Sequence, residues 1–295
     1  MSTLRELKGR IGSVGSTQKT TSAMKMISSA KMHKATAQLQ RLLPYRNMVR
    51  SLLAHLLATD VQFVSPLLTV REVKHLAIVV MGSDDGLCGA FNINIFKQLL
   101  AHIDEARRLY GTDLRITLLP VGKKMVKGVA KIAGDAVEVD ANTGLNTRSS
   151  SDDLHRFTER LRADFVEGRV DAVDVVYMRY VSTSRQVFTV DHLLPVSPDT
   201  LASEASAAAA CEPCIFEPDA NTIFNSVLPL HLRATMQDIF TESAASEQAV
   251  RVMAMQTASD NAAELLEQLN LEYNKLRQQG ITTELLDILG GQVER

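Results

Sequence analysis

The sequence predicts an α/β protein: two long helices, one from each end of the chain, pair as an antiparallel coiled coil, and an α/β domain is inserted between them. Three observations lead there. Apolar residues return at helical spacing through long stretches at both ends, short apolar strands alternate with helical segments in the middle, and the two ends carry opposite charge.

The C-terminal stretch 246–290 is dense in Ala, Leu, Gln, Glu and Met, which lose little side-chain freedom in a helix. It has no Pro and, before Gly290-Gly291, a single glycine, Gly280. Its apolar stripe runs through Val250, Met253, Leu265, Leu269, Tyr273 and Leu276 and on to Leu285 and Ile288, where the glycine pair is expected to cap it. A helix so much longer than three turns needs a partner to lie against. At the other end, Thr3 and Glu6 form a capping box that starts a helix at Leu4. A heptad seam from Leu4 to Leu56 has sixteen positions, of which eleven are apolar, so a coiled-coil strand is expected over 1–58, roughly 80 Å long. The seam turns small and polar over Gln18, Thr21, Lys25 and Ser28; that segment is expected to be held loosely or to face something other than the partner helix. Pro44 is expected to bend the helix. Gly9, Gly12 and Gly15 admit two readings, close approach of another backbone or a soft first turn.

The charge split supports pairing of the ends. Residues 1–57 hold ten basic side chains against Glu6 alone, a net of +9, and residues 218–295 hold eleven acids against five bases, a net of −6. A basic helix alone would suit nucleic acid or a lipid surface; with an acidic helix in the same chain, self-pairing is the more economical reading, with positive charge left over for an acidic partner.

Over 73–198 the rhythm changes. Strands are expected at 76–81, 114–121 and 136–139, with helices at 92–110, 123–132 and 151–167, the last capped by Ser151-Asp152-Asp153. Strands at 173–181 and 187–194 flank a polar turn and form a hairpin. This is a Rossmann-like layer with a mostly parallel sheet and one antiparallel edge. Residues 199–218 are linker-like, and a second long helix spans 219–289, about 105 Å if unbroken, with a bend at Pro229.

Composition limits the chemistry. Aromatics make up 5% and Trp is absent, which favours helices packed through aliphatic side chains. No apolar run approaches the ~18 residues that cross a bilayer, and MSTLRELKGR lacks the apolar core of a secretory signal, so a cytosolic setting is expected. Cys211 and Cys214 have the spacing of half a zinc site with nothing to complete it; they are expected to be incidental loop thiols. The loop GSDDGLCGAFN (82–92) lies between a strand and a helix, yet its glycines at 82, 86 and 89 fit no phosphate-loop spacing and it has no Lys. It is expected to be a tight turn, with Cys88 packed inside it. The seven histidines show no metal-ligand pattern. Met24, Met26, Met32, Met253 and Met255 belong either to the core or to an adaptable sliding surface. No catalytic residue, cofactor or metal is expected. On residues alone a coiled-coil scaffold and a nucleotide-dependent enzyme built on the α/β domain both stay open.

Three separated motifs carry a family resemblance: LRELKGRIGSVGSTQKTTSAMKMISSAKMHKA, SDDGLCGAFN, and SEQAVRVMAMQTASDNA with YNKLRQQGITTELLDI. In order, spacing and chain length the sequence resembles the gamma subunit of F-type ATP synthases of bacterial type, nearly end to end. Asp85 departs from the family, which usually has a basic residue there, and Gly9, Gly12 and Gly15 replace more helix-friendly residues. The resemblance implies a non-catalytic rotor inside a ring of alpha and beta subunits. The α/β domain would lie at its base beside epsilon and the c-ring, peripheral on the cytoplasmic face of the inner membrane. It also implies roles for single residues. Arg277 and Gln278 match the pair that hydrogen-bonds the beta catch loops, Thr282 and Glu284 match further positions there, and Met24 and Lys25 match the segment facing beta's acidic lever.

Overall fold

The computed structural model describes residues 3–57, 63–134, 136–197 and 216–293. The expected linker at 199–218 falls largely outside them, and so do Cys211 and Cys214. The long helices are α1 (Leu4–Leu57) and α5 (Ala220–Val293). Each contributes to two compact units, one of residues 1–30 and 251–295, the other of residues 31–250.

The unit of residues 31–250 is built on a five-stranded sheet of order β3-β2-β1-β4-β5. Its strands are β1 (His75–Met81), β2 (Arg115–Val121), β3 (Val137–Val139), β4 (Ala172–Ser182) and β5 (Arg185–Leu194). β1 pairs in parallel with both β2 and β4, while β5 runs antiparallel to β4, as the hairpin required. The turn between them is tighter than expected, with Ser182 already opposite Arg185. β1 is an unbroken apolar run because both its faces are covered. Ala77, Val79 and Met81 enter one core and Leu76, Ile78 and Val80 the other. The first core is closed by Leu154, Phe157, Leu161 and Phe165 of α4 (Ser151–Val166), by Val49, Leu53 and Leu56 of α1, and by Phe224, Leu228 and Met236 of α5. The second is closed by Ile95, Leu99 and Ile103 of α2 (Phe91–Tyr110) and by Met125 of α3 (Lys123–Val129). Each fully buried Leu or Phe contributes about 1.5–3 kcal/mol.

Several expectations are corrected. The cap of α4 is Ser150, one residue earlier than expected: Ser150 Oγ takes the Asp153 N–H and the Asp153 carboxylate takes the Ser150 N–H. Helix α5 does not stop at Gly290-Gly291 but runs to Val293.

In the unit of residues 1–30 and 251–295, α1 and α5 run past each other in opposite directions. Gly15 lies opposite Leu266 and Lys25 opposite Gln256, so ten residues forward on α1 are ten residues back on α5. The inward positions of α5 advance strictly by four and three: Met255, Ser259, Ala262, Leu266, Leu269, Tyr273, Leu276, Gly280. Met253 and Leu265, expected on the stripe, are exposed, as are Leu285 and Ile288. The expectation followed large residues, whereas the seam uses the small Ser259 and Ala262. The polar stretch of α1 does not turn away from its partner either. Ser28 is buried, Gln18, Thr21 and Lys25 are half-buried, and Lys25 Nζ donates to Gln256 Oε1 at 2.6 Å. Neither reading of the three glycines holds in full. The helix is continuous through them, a Cβ on Gly9 or Gly12 would meet nothing within 4 Å, and one on Gly15 would reach only Leu266 Cδ2 at 3.9 Å.

One buried charge lies in the sheet. Asp174 of β4 accepts from His102 of α2 at 2.8 Å and from His192 of β5 at 2.6 Å. Burial works against its ionised form, but the two hydrogen bonds outweigh burial and hold the carboxyl below the ordinary range. The same hydrogen bond raises His192 above its ordinary 6.5.

Two predictions follow from the packing. A Cβ on Gly82, at the end of β1, would come within 2.4 Å of Met125 Cβ, whereas Gly86 has room, with Lys124 Cε at 3.9 Å. Gly82→Ala should lower stability by about 1–3 kcal/mol and Gly86→Ala by under about 0.5 kcal/mol in urea titrations; equal midpoints would refute the close packing. The His192 contribution is complete below the unfolded value and is lost as pH rises through the raised folded value. The Asp174 contribution is instead lost as pH falls through its lowered value. His192→Gln should therefore flatten the decline in stability from pH 6 to pH 9 by under about 1 kcal/mol, because the ring is largely exposed; an unaltered slope would remove the histidine from the account.

Candidate functional site

Sequence reasoning singled out two places on the helix pair and one loop in the sheet unit. The first is the end of α5. Beyond Leu276 every described side chain but Gly280 is exposed, including Arg277, Gln278, Thr282 and Glu284. At 100° per residue these four do not share one line. Arg277 and Glu284 form one edge of an arc and Gln278 and Thr282 the other, and Ile281, Leu285 and Ile288 lie between them, all exposed by half or more. Thr282 Oγ1 donates back to the Gln278 carbonyl at 2.9 Å, which occupies the hydroxyl proton locally. Arg277, Gln278 and Glu284 have no side-chain partner among the described residues. The arc is thus an apolar strip with hydrogen-bonding rims and nothing from its own unit covering it.

The second place is the Lys25 segment. Met24 and Lys25 are half-buried, and Lys25 is engaged within its unit: Gln256 accepts from it and donates in turn to both carboxylate oxygens of Asp260 at 2.7 Å. The outward residues here are Met26 and Ile27, 67% and 57% exposed. The methionines therefore divide: Met32 and Met255 are buried, Met26 and Met253 exposed.

The loop after β1 is a packed turn. Ser83 N–H donates to Asn92 Oδ1 at 3.1 Å and Asn92 Nδ2 donates to Ser83 Oγ at 2.7 Å, tying the turn to the start of α2. Cys88 is 3% exposed, with Asn92 Nδ2 at 3.5 Å from its sulfur. Asp85, where a basic residue was expected, pairs with Arg148 at 2.9 Å. In open parallel sheets of this kind ligands bind beyond the carboxyl ends of the strands, beside the point where strand order reverses. Here Phe240, Ser243, Ala244 and Glu247 of α5 lie over the ends of β1 and β2 and leave about 10 Å³.

Charged groups that periodicity did not reveal gather where α1, α5 and the hairpin meet in the sheet unit. Arg46 pairs with Asp238, and Tyr177 donates to Asp191 at 3.0 Å. Burial, reinforced by Asp238, pushes Glu242 up to about 7. The only hint in the sequence is an acid or base recurring within an otherwise apolar helical face. Among the described residues no cluster of His, Cys, Asp and Glu has metal-site geometry, and no helix is long and apolar enough to cross a membrane.

A family model described as ATP synthase matches residues 3–293. The chain is 41% identical to the ATP synthase gamma chain of Phocaeicola vulgatus over 99% of its own length and all of that protein. It is 40% identical to the gamma chain of Parabacteroides distasonis, over 99% and 98% of the two chains. Among solved structures, a chain of the Euglena gracilis mitochondrial ATP synthase in rotational state 3 superposes with a TM-score of 0.64 at 19% identity, covering 98% of this chain and 93% of that one. A chain of the central stalk and c-ring of the Tetrahymena thermophila enzyme gives 0.56 at 21%, covering 81% and 99%. At these identities the structures speak for the fold, and the full-length curated relatives for the family. By sequence along nearly its whole length, this chain belongs to the ATP synthase gamma-chain family.

Proposed function

We propose that this chain is the central rotor of a proton-translocating F-type ATP synthase, coupling proton flow through a c-ring to conformational change in catalytic beta subunits. It is itself non-catalytic and peripheral, on the cytoplasmic face of the bacterial inner membrane. Its partners are the alpha and beta subunits, epsilon and the c-ring. The observation that carries the reading is the full-length kinship with gamma chains, together with an α5 end that its own unit leaves uncovered. The fitting arrangement of α1 and α5 is an antiparallel coiled coil, which the strict four-and-three spacing of the α5 seam supports.

A rotor acts only by contacts that differ among its stations, because a ligand shifts an equilibrium only by its differential affinity for the two states. The α5 arc suits that task. Ile281, Leu285 and Ile288 offer a surface without fixed partners, and Arg277 and Gln278 offer directional hydrogen bonds to the beta catch, with Thr282 and Glu284 completing the rims. Bonds to a charged group contribute roughly 1.5–3 kcal/mol, enough to mark a station and weak enough to break at each step. Met24 and Lys25 are assigned to beta's acidic lever. Since Lys25 is already hydrogen-bonded to Gln256, its contribution there is a partly neutralised positive charge, and Met26 and Ile27 supply the outward contact.

Reconstitution with alpha and beta subunits, followed by rotation of a bead fixed to the α/β domain, tests the rotor reading; assembly without rotation would refute it. Arg277→Ala combined with Gln278→Ala should lower coupled ATP turnover by roughly tenfold, as loss of one such bond requires, with the ring still assembled. Unchanged turnover would dismiss the catch assignment. Lys25→Glu should lower the ratio of proton pumping to hydrolysis well beyond the effect of Gln256→Leu, which removes only the bond within the chain. If the two variants behave alike, the Lys25 effect is internal packing and the lever contact is wrong.

A further inference from the structure

We propose that the loops following β1, β2 and β3 form a binding site for a compact anion carrying two or three phosphate groups, recognised by Lys123, Lys124 and Lys127. The three loops border an open cavity of about 720 Å³ lined by these exposed lysines together with Asp84, Asn142 and Asn146. That volume lies in the range of small-molecule sites, roughly 300–1,000 Å³, and exceeds what a single phosphate needs. The proposal is independent of the rotor reading, since it concerns only the sheet unit.

The charge in the cavity is not spent elsewhere. None of the three ammonium groups has an ion-pair partner among the described residues. Asp84 is the one carboxylate in the lining, so three positive charges meet a single negative one. Both its oxygens are committed to bracing the walls: Oδ1 takes the Lys123 N–H at 3.0 Å, and Oδ2 takes the N–H and the hydroxyl of Thr147 at 2.9 and 2.7 Å. Burial opposes its charge, but the hydrogen bonds from Thr147 and Lys123 outweigh burial and keep the carboxyl below its ordinary range. Asp84 therefore stitches the β1, β2 and β3 loops into one frame and leaves a surplus of positive charge facing the cavity.

The frame is fixed by backbone. Gly122 has φ +97°, and a Cβ there would come within 2.8 Å of the Ser83 carbonyl, so only glycine lets the β2 loop close on the β1 loop with the lysines following directly. Gly144, in the opposite wall, has φ +69° and open space where a side chain would stand. The choice of ligand follows from the lining. Lysines are compact point charges suited to clustered phosphate oxygens; no arginine fork is present for a planar carboxylate, and no aromatic ring for a base to stack on. A short polyphosphate fits this set better than a dicarboxylate or a nucleobase-directed ligand.

Titration calorimetry of the full-length chain with inorganic tripolyphosphate tests the site. Saturable binding is expected, weakening several-fold as salt rises from about 50 to 200 mM, because exposed charges are screened on that scale. Lys123→Ala, Lys124→Ala and Lys127→Ala should each weaken it roughly three- to tenfold. Lys131→Ala, exposed and outside the lining, should not. No binding at millimolar ligand, or equal losses for Lys131→Ala and the cavity variants, would overturn the proposal. Should a lysine variant fail to fold, Asn142→Asp decides: a carboxylate added to the lining should weaken binding at least as much, and unchanged affinity would overturn the site.

Discussion

A long helix in water has little to hold it beyond what it packs against, and the register between α1 and α5 is what the rest of this chain depends on. Helix propensity favours the Ala-, Leu-, Glu- and Gln-rich α5, but nucleation is costly and most helical stability comes from a buried face. In the unit formed by the chain ends that face is narrow. The small Ser259 and Ala262 follow one another in the seam between Met255 and Leu266, and the correspondence of Gly15 with Leu266 and of Lys25 with Gln256 keeps a constant offset. In the sheet unit the same two helices are held differently. Val49, Leu53 and Leu56 of α1 and Phe224, Leu228 and Met236 of α5 are core residues of the sheet itself. One pair of helices thus satisfies two unlike packing problems, a slender two-helix seam and a broad sheet face.

The second use also lays α5 over part of the carboxyl edge of the sheet. Strand order and connection follow the doubly wound pattern, yet Phe240, Ser243, Ala244 and Glu247 occupy the ends of β1 and β2. Gly82, which in a phosphate loop would admit a ligand, here admits Met125. The histidines follow suit: His75 bonds the Arg169 carbonyl and Thr117, and His102 and His192 hold Asp174.

What the sequence made legible divides along the range of the interactions involved. The strands were legible because a strand covered on both faces must be apolar throughout, as β1 is. Helix ends were less so: Ser150 and Ser151 both offer a hydroxyl, and only backbone geometry decides that Ser150 caps. The seam of α5 was misread because the expected stripe followed large residues, whereas the helix pair also takes the small Ser259 and Ala262 at inward positions. The role of Asp174 leaves no mark in the local sequence, since its partners come from α2 and β5, far away along the chain. Arg277, Gln278, Thr282 and Glu284 were found by motif alone. Periodicity places them on the rims of one arc, but the described residues supply no contact that would assign them a role.

The polar interruption in the α1 seam bears on how such a pair keeps time. An apolar seam of repeating heptads is nearly indifferent to a slip of seven residues, which would move one helix about 10 Å along the other. For a rotor that slip would carry the α5 arc away from whatever it touches. A polar residue at a seam position costs stability but matches its partner in only one register. Lys25 bonded to Gln256, with Gln256 bonded to Asp260 and Ser28 buried nearby, is such a match, since a heptad shift would set Lys25 against Ala249 or Ala263, neither of which has a side-chain acceptor. The weak point of the seam by hydrophobicity is therefore the point that fixes its phase. A gain in stability from replacing Lys25 with Leu would come with a loss of register, and in a shaft whose work depends on angle and height, register is the property that must be kept.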